Sequence, residues 1–161
     1  MQADPSQSHP APPQAAAGTE IRLTFPGTPL SVRHALQSFL EELDGLEQEE
    51  RGSVELVLAE VLNNVVEHAY GPEERGWISL FCTPGPDGLQ FRIQDSGRPM
   101  PEGIPPMGSP AALPEALEAL PEGGFGWFLI RDLSHDVSYQ RQGELNVLSF
   151  RIKVGALHPV P

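Results

Sequence analysis

The chain has 161 residues, with 22 acidic side chains against 10 basic ones, a formal net charge of −12 and a single cysteine. This length suits one domain with a substantial core, and one cysteine excludes a disulfide framework within the chain and a thiolate zinc cage. The negative charge disfavours nucleic acid and membrane surfaces, and without an apolar run of roughly 18 residues or a signal-peptide pattern we expect a cytoplasmic protein.

Two proline-rich stretches divide the chain. Residues 1–19 combine proline with Gln, Ser and Ala and offer no apolar face, so we expect a disordered tail there. The second stretch, 99–121, holds seven prolines, and loops of such length inside a domain are commonly lids or disordered segments. We therefore expect a single domain over 20–156 with a lid at about 99–122, followed by a C-terminal tail at 157–161.

The first elements follow from hydrophobic periodicity. Apolar and polar residues alternate from Ile21 to Phe25, which is typical of a half-buried strand. Thr28 offers a helix N-cap with Pro29 at the first helical position, and apolar residues at helical spacing continue to Leu43. The same spacing predicts a second helix from about Gln48 to Ala69.

The second half of the chain predicts two hairpins with a helix between them. Alternation favours strands from Trp77 to Thr83 and from Leu89 to Asp95, joined by a turn-rich segment. An apolar helix ends near Leu133, and strands follow from His135 to Tyr139 and from Leu145 to Val154. Helices beside largely antiparallel strands predict a two-layer α/β sandwich, with a mixed, mostly antiparallel sheet covered by helices on one face.

Three polar residues of the second helix, Glu60, Asn64 and His68, recur every four residues and so lie on one line beside the apolar stripe. Asn is unfavourable inside a helix, so the pair Asn63 and Asn64 needs another reason. One interpretation is a solvated face, with His68 complementing the negative end of the helix dipole. The other is a site in which the Asn64 amide oxygen binds Mg²⁺ and Glu60 is a general base.

Two glycine-containing motifs also allow two interpretations each. Asp95-Ser96-Gly97 ends a strand, either as a plain turn or as a carboxylate that accepts a hydrogen bond from a ligand amino group. Gly124-Phe125-Gly126 precedes an apolar helix, either as a flexible loop or as a phosphate cradle of free amides at a helix N-terminus. Each motif is weak alone, and their order along the chain strengthens the functional interpretation.

That order, an Asn box on a helix, Asp-x-Gly after a strand and Gly-x-Gly opening a helix, resembles the GHKL ATP-binding fold of gyrase, Hsp90, histidine kinases and MutL. Within that fold, the stretches 59–70 and 122–130 most resemble the small serine-protein kinases that act as anti-sigma factors in bacterial partner switching. The resemblance covers about residues 20–154.

The resemblance implies a role for each motif residue. Asn64 would coordinate a Mg²⁺ ion that bridges the ATP phosphates, and Glu60 would draw the proton from the serine hydroxyl of a protein substrate. Asp95 would bind the adenine amino group, and Gly97 would shape the adenine pocket. The nucleotide site would be completed by a glycine box whose glycines let backbone amides meet the phosphates: Gly124, Phe125 and Gly126.

The resemblance also implies the partners. The substrate would be a STAS-type anti-anti-sigma protein, and the kinase would otherwise sequester a sigma factor or another regulator. Relatives often form homodimers through the first helix and its neighbouring strand. Neither nucleic acid nor a membrane is expected as a direct partner.

Two departures from the family pattern bear on catalysis. No Lys or Arg lies between Arg98 and Arg131, so the lid brings no cation to the γ-phosphate. The last hairpin carries Gly143 to Asn146 where many members have a Gly-Thr pair near the phosphates. The alternative function is therefore a nucleotide-responsive binding adaptor with little or no kinase activity.

Overall fold

The computed structural model describes residues 18–72, 75–105 and 124–155. Most of the predicted N-terminal tail, the larger part of the predicted lid and the predicted C-terminal tail lie outside these ranges. The strands are β1 (Ile21–Pro26), β2 (Trp77–Gly85), β3 (Gly88–Asp95), β4 (His135–Gln142) and β5 (Leu145–Ile152). They form one sheet in the order β1-β2-β3-β5-β4, and each neighbouring pair is antiparallel.

The helices in the described residues pack on one face of this sheet, as the two-layer prediction requires. They are α1 (Pro29–Glu42), α2 (Gln48–Asn64) and α3 (Gly124–Leu133). The predicted N-cap of α1 is confirmed, because Thr28 Oγ1 accepts a hydrogen bond from the Ser31 amide at 3.2 Å. Among the helices of the described segments, none is both long and apolar enough to cross a membrane.

Aromatic rings join the two layers at the centre of the core. The ring of Phe39 on α1 meets Phe91 on β3 edge to face, with centroids 5.7 Å apart. Phe91 stacks on Phe150 of β5 at 5.2 Å. All three side chains are fully buried, so this contact holds β3 and β5 against α1.

The predicted second helix changes form before its end. The α-helix stops at Asn64, and Val65–Tyr70 continue as a π-helix, called the π segment below. The Gly71 amide accordingly donates to Val66 O, five residues earlier, at 2.9 Å. The predicted extent of this helix is confirmed to within one residue, and its last six residues are π-helical because apolar spacing over a single turn does not distinguish the two helix types. Such π turns are rare and occur often at functional sites.

Strand ends differ from the predictions by one to three residues. β2 extends to Gly85 and β3 begins at Gly88, so the first hairpin turns through two residues. β4 extends to Gln142, and β5 stops at Ile152. Polar residues at the ends of a strand can join the hydrogen-bonded ladder although they add nothing to the apolar alternation. Alternation therefore predicts where a strand lies more accurately than where it begins and ends.

Candidate functional site

A cavity of about 580 Å³ opens between the helices and the end of the sheet. Its walls include Asn64 on α2, the π segment, Asp95 at the end of β3 and residues 98–101. Trp127 of α3 supplies part of its apolar wall. A largely apolar cleft of this volume with a few polar groups is typical of a small-ligand site, and it brings together two of the predicted site residues.

The Asp95 carboxylate is held at the end of a buried strand. Only 6% of the residue is exposed, and its Oδ1 accepts hydrogen bonds from the Gly97 amide at 2.9 Å and from Asn146 Nδ2 at 2.8 Å. Within the described ranges, no hydrogen bond reaches Oδ2. Burial raises the pKa of Asp95, although the two hydrogen bonds and the charge of Arg141 act against that rise. One carboxylate oxygen is thus fixed, and the other is free to accept a ligand donor.

Gly97 brings the turn after Asp95 against the backbone of the π segment. A Cβ atom at Gly97 would lie 2.5 Å from the carbonyl oxygen of Ala69, and that oxygen accepts a hydrogen bond from the Arg98 amide at 2.8 Å. Only glycine allows this approach. Gly97 does not itself line the cavity, so its contact with a ligand stays a prediction.

The first and third motifs lie next to each other. Glu60 and Asn64 are half-buried on α2, and a Cβ atom at Gly126 would lie 2.5 Å from Glu60 Oε2 and 3.8 Å from Asn64 Nδ2. Asn64 Nδ2 is buried and has no hydrogen-bond partner among the described residues. A buried amide group without a partner is costly, which favours a polar ligand at this position.

Helix α3 begins within the predicted glycine box. Gly124 and Phe125 occupy its first turn, where backbone amides have no partner within the helix. The buried side chains of Trp127 and Ile130 anchor α3 against the core. The N-terminus of α3 is consequently held beside Glu60 and Asn64, with Gly126 at the contact.

His68 lies in the π segment and lines the same cavity as Asn64. It is exposed at the cavity edge, and its Nε2 lies 3.8 Å from Glu67 Oε2, also exposed. In the part of the chain that the structure describes, no three His, Cys, Asp or Glu side chains are grouped to hold a metal ion. Within the described residues, His68 is therefore not part of such a cluster.

The sequence analysis missed several residues that hold Asp95 in place. Asn146 faces Asp95 across the β3–β5 ladder and also lines the cavity. Tyr70, at the end of the π segment, donates to Trp77 O at 2.6 Å and accepts from the Ser96 amide at 3.0 Å. Arg98, at the boundary of the cation-free stretch, lines the cavity. Only strand register could have found Asn146.

Comparison with known proteins agrees with the motif order. The sequence model of the histidine kinase-like ATPase domain matches residues 27–152. The chain belongs to the histidine kinase-like ATPase family. One curated relative is "Serine-protein kinase RsbW" of Oceanobacillus iheyensis, which is 33% identical over 99 residues, or 61% of this chain and 63% of the relative. The match thus spans less than two thirds of that relative's length.

Membership in the histidine kinase-like ATPase family confirms the resemblance and the fold, and it implies ATP as ligand. The residues present also fit a magnesium ion. Mg²⁺ in nucleotide sites keeps several waters and is held through one or two protein oxygens plus phosphates. The Asn64 amide oxygen is a ligand of this type, whereas the buried Nδ2, which has no partner among the described residues, is a donor suited to a phosphate oxygen and not to the metal.

Proposed function

We propose that this protein is an ATP- and Mg²⁺-dependent serine-protein kinase and anti-sigma factor that phosphorylates a STAS-type anti-anti-sigma protein. The observation that carries the proposal is the joint placement of three groups: Asn64 and Asp95 line one cavity, and Glu60 lies against Gly126 in the first turn of α3. Family membership and a relative named as a serine-protein kinase support it.

The adenine end of the site would be at Asp95. Its free Oδ2 would accept the adenine amino group, and the apolar wall around Trp127 would cover part of the ring. The phosphate end would be at α3, where the amides of Gly124 and Phe125 point from a helix N-terminus whose dipole favours anions.

Asn64 would hold the metal through its side-chain oxygen, with the ATP phosphates and water as the other ligands. When bound, Mg²⁺ supplies charge neutralisation for the transferred phosphoryl group. Glu60, one turn earlier on α2, would accept the proton of the incoming serine hydroxyl. Because phosphoryl transfer depends mainly on positioning, the contact between Glu60 and Gly126 would fix where that proton is received.

A nucleotide-responsive adaptor is the second candidate, and one observation favours it. Residues 99–130 contain no Lys or Arg, so that stretch supplies no cation to stabilise charge on the γ-phosphate during transfer. Such a protein would bind ATP and change its affinity for a partner without transferring phosphate. Arg98 lies just outside that stretch and lines the cavity, so one cation is still close to a bound ligand.

The deciding experiment captures partners from the native cell on the full chain, with and without Mg-ATP, and identifies any phosphoserine by mass spectrometry. Wild type should capture a STAS-type protein and phosphorylate it, whereas Glu60→Ala should capture the same protein unmodified. If wild type binds ATP in calorimetry but the captured partner carries no phosphoserine, the adaptor is correct. If wild type binds no ATP at millimolar concentration, both candidates are wrong.

A further inference from the structure

The helices of the described residues leave one face of the sheet uncovered, and that face is basic. Along β1, β2, β3 and β5 the residues that point to it alternate with the buried ones, at alternate positions of 22–26, 77–83, 90–94 and 145–151. We call this surface the open face. In these four described strands its residues include three arginines and no Asp or Glu, although acidic residues outnumber basic ones by 22 to 10 in the chain.

An aromatic ring flanked by two arginines lies at the centre of the open face. Arg22, Phe81 and Arg92 are consecutive cross-strand partners on β1, β2 and β3. The Cζ atom of Arg22 lies 4.9 Å from the centroid of the Phe81 ring, and that of Arg92 lies 4.3 Å from it. Phe81 is only 9% exposed, because the two arginine side chains cover it. The ring in turn holds both guanidinium groups in place.

These two arginines are available to an acidic ligand, whereas the third arginine of the open face is not. Arg151 Nη2 lies 3.0 Å from Asp136 Oδ2, in a pair with two hydrogen bonds. Arg22 Nη2 lies 3.6 Å from Glu20 Oε1, and because both side chains are exposed this pair is weak. Arg92 is exposed and has no hydrogen bond or acidic partner within the described ranges.

The open face also carries an exposed aromatic side chain. Trp77 is 61% exposed and pairs with Pro26 at the edge of the sheet. It lies four residues from Phe81 along β2, or about 13 Å at the usual rise of a strand. Trp and Arg are the residue types that most often dominate binding energy at protein interfaces. The open face thus combines two positioned cations with an aromatic anchor.

We propose that the open face binds an acidic segment of a protein partner, with carboxylates on Arg22 and Arg92 and an apolar side chain on Trp77. Since the chain as a whole carries a net charge of −12, other parts of its surface repel such a segment and favour this one orientation. A nucleic acid fits less well, because it is charged along its whole length and would extend past the open face onto acidic surface.

A partner on the open face leaves the cavity accessible. The strand residues that line the cavity, such as Ile93, Asp95 and Leu148, point to the helix side of the sheet. Arg92 lies between inward-facing neighbours on β3 and points away from the cavity. The partner and a nucleotide can therefore be bound at the same time. This inference does not rest on the proposed function, because neither the phosphate donor nor Glu60 takes part in it.

The test measures binding of a fluorescent peptide to the full chain by anisotropy. The peptide has about eight residues, enough to span the distance from Phe81 to Trp77, with glutamates around one leucine. Wild type should bind it and should not bind the counterpart in which glutamine replaces each glutamate. Arg22→Gln and Arg92→Gln should each weaken binding about two- to fivefold, and the double variant about tenfold.

Two controls separate this site from the charge of the whole chain. Arg33→Gln makes the same change of charge at an exposed position of α1, and it should bind the peptide as wild type does. Trp77→Ala should weaken binding about tenfold, whereas a peptide with serine in place of its leucine should bind Trp77→Ala and wild type equally. Thermal melts establish that each variant is folded.

Several results would overturn the inference. These are failure of wild type to bind the acidic peptide, equal binding of the glutamine counterpart, and unchanged affinity in the folded double variant. An equal loss in Arg33→Gln would show a diffuse effect of charge and no site. A single-stranded oligonucleotide that binds more tightly than the peptide through the same arginines would assign the open face to nucleic acid. Self-association that the double variant abolishes, without peptide binding, would assign it to a second copy of the chain. Failure of wild type to bind ATP would overturn the proposed function and leave this inference standing.

Discussion

Substitution of Gly126 by alanine tests the contact between the glycine box and the proposed base. The added Cβ would lie 2.5 Å from Glu60 Oε2, whereas non-bonded heavy atoms settle at roughly 3.5 Å. The carboxylate must therefore retreat by about 1 Å. Asn64 Nδ2, at 3.8 Å from the same Cβ position, is in ordinary contact and can stay. The variant should thus displace Glu60 and leave the proposed metal ligand in place.

The stability of Gly126→Ala should change little. Alanine in a helix is more favourable than glycine by roughly 0.5–1 kcal/mol, and turning the end of a flexible Glu side chain costs a similar amount. Phosphotransfer should fall by about 10²-fold, the scale expected for a misplacement of 1 Å at a reacting group. The amide at position 126 is retained, so ATP affinity should stay within about fivefold of wild type.

The assay is single-turnover phosphoserine formation on the captured STAS-type partner, with ATP affinity measured in parallel. Gly52→Ala is the matched control, since Gly52 is an exposed glycine of α2 with no atom within 4 Å of its Cβ position. It should gain the same helix stability and transfer phosphate at the wild-type rate. Wild-type transfer by Gly126→Ala would refute the placement of Glu60, and complete loss of ATP binding would show that the new methyl group meets the nucleotide instead.

The remaining predictions concern four residues of the site. Glu60→Ala should keep ATP affinity and lower phosphotransfer by about 10²-fold or more, and Asn64→Ala should lower both, as calorimetry and the transfer assay would show. Burial raises the pKa of Asp95 from 3.8, so in wild type acidification through the raised pKa should weaken ATP binding. The same acidification should stabilise the nucleotide-free fold, because the native state favours the protonated carboxyl group. Asp95→Asn should weaken ATP binding and remove both of these pH dependences. Gly97→Ala should lower the free energy of unfolding by about 1–3 kcal/mol in chemical denaturation, because its Cβ meets the backbone of Ala69.

Much of the architecture could be predicted because it depends on signals within one element. The N-cap at Thr28 and the apolar faces of α1 and α2 are local patterns, and each lies close to its predicted place. Asn64 and Asp95 were predicted as site residues from motif order, and the structure brings both to one cavity. Their proposed roles toward ATP and Mg²⁺ stay predictions.

The features that escaped prediction depend on pairs of elements. The π segment turns the carbonyl of Ala69 toward the Arg98 amide, a contact between residues far apart in the chain. The position of Asn146 opposite Asp95 depends on the register of β5 against β3. In the sequence it is one polar residue at the start of an apolar strand, where a turn residue or an edge position explains it equally well.

Because the net charge is −12, the groups that line the cavity say more than its shape about whether it can bind an anionic nucleotide. ATP is strongly anionic, so the field of the whole surface opposes its approach at distances below the screening length, about 8 Å at physiological salt. Groups that offset this field are Arg98 at the cavity, Arg141 near Asp95 and the backbone amides in the first turn of α3, which have no partner within the helix. The amides attract phosphate without adding a net charge, and the proposed Mg²⁺ would neutralise much of what remains. An acidic protein can in this way keep a nucleotide site that attracts ATP only at short range. At that range the orientations of Asp95 and Asn64 also contribute to binding.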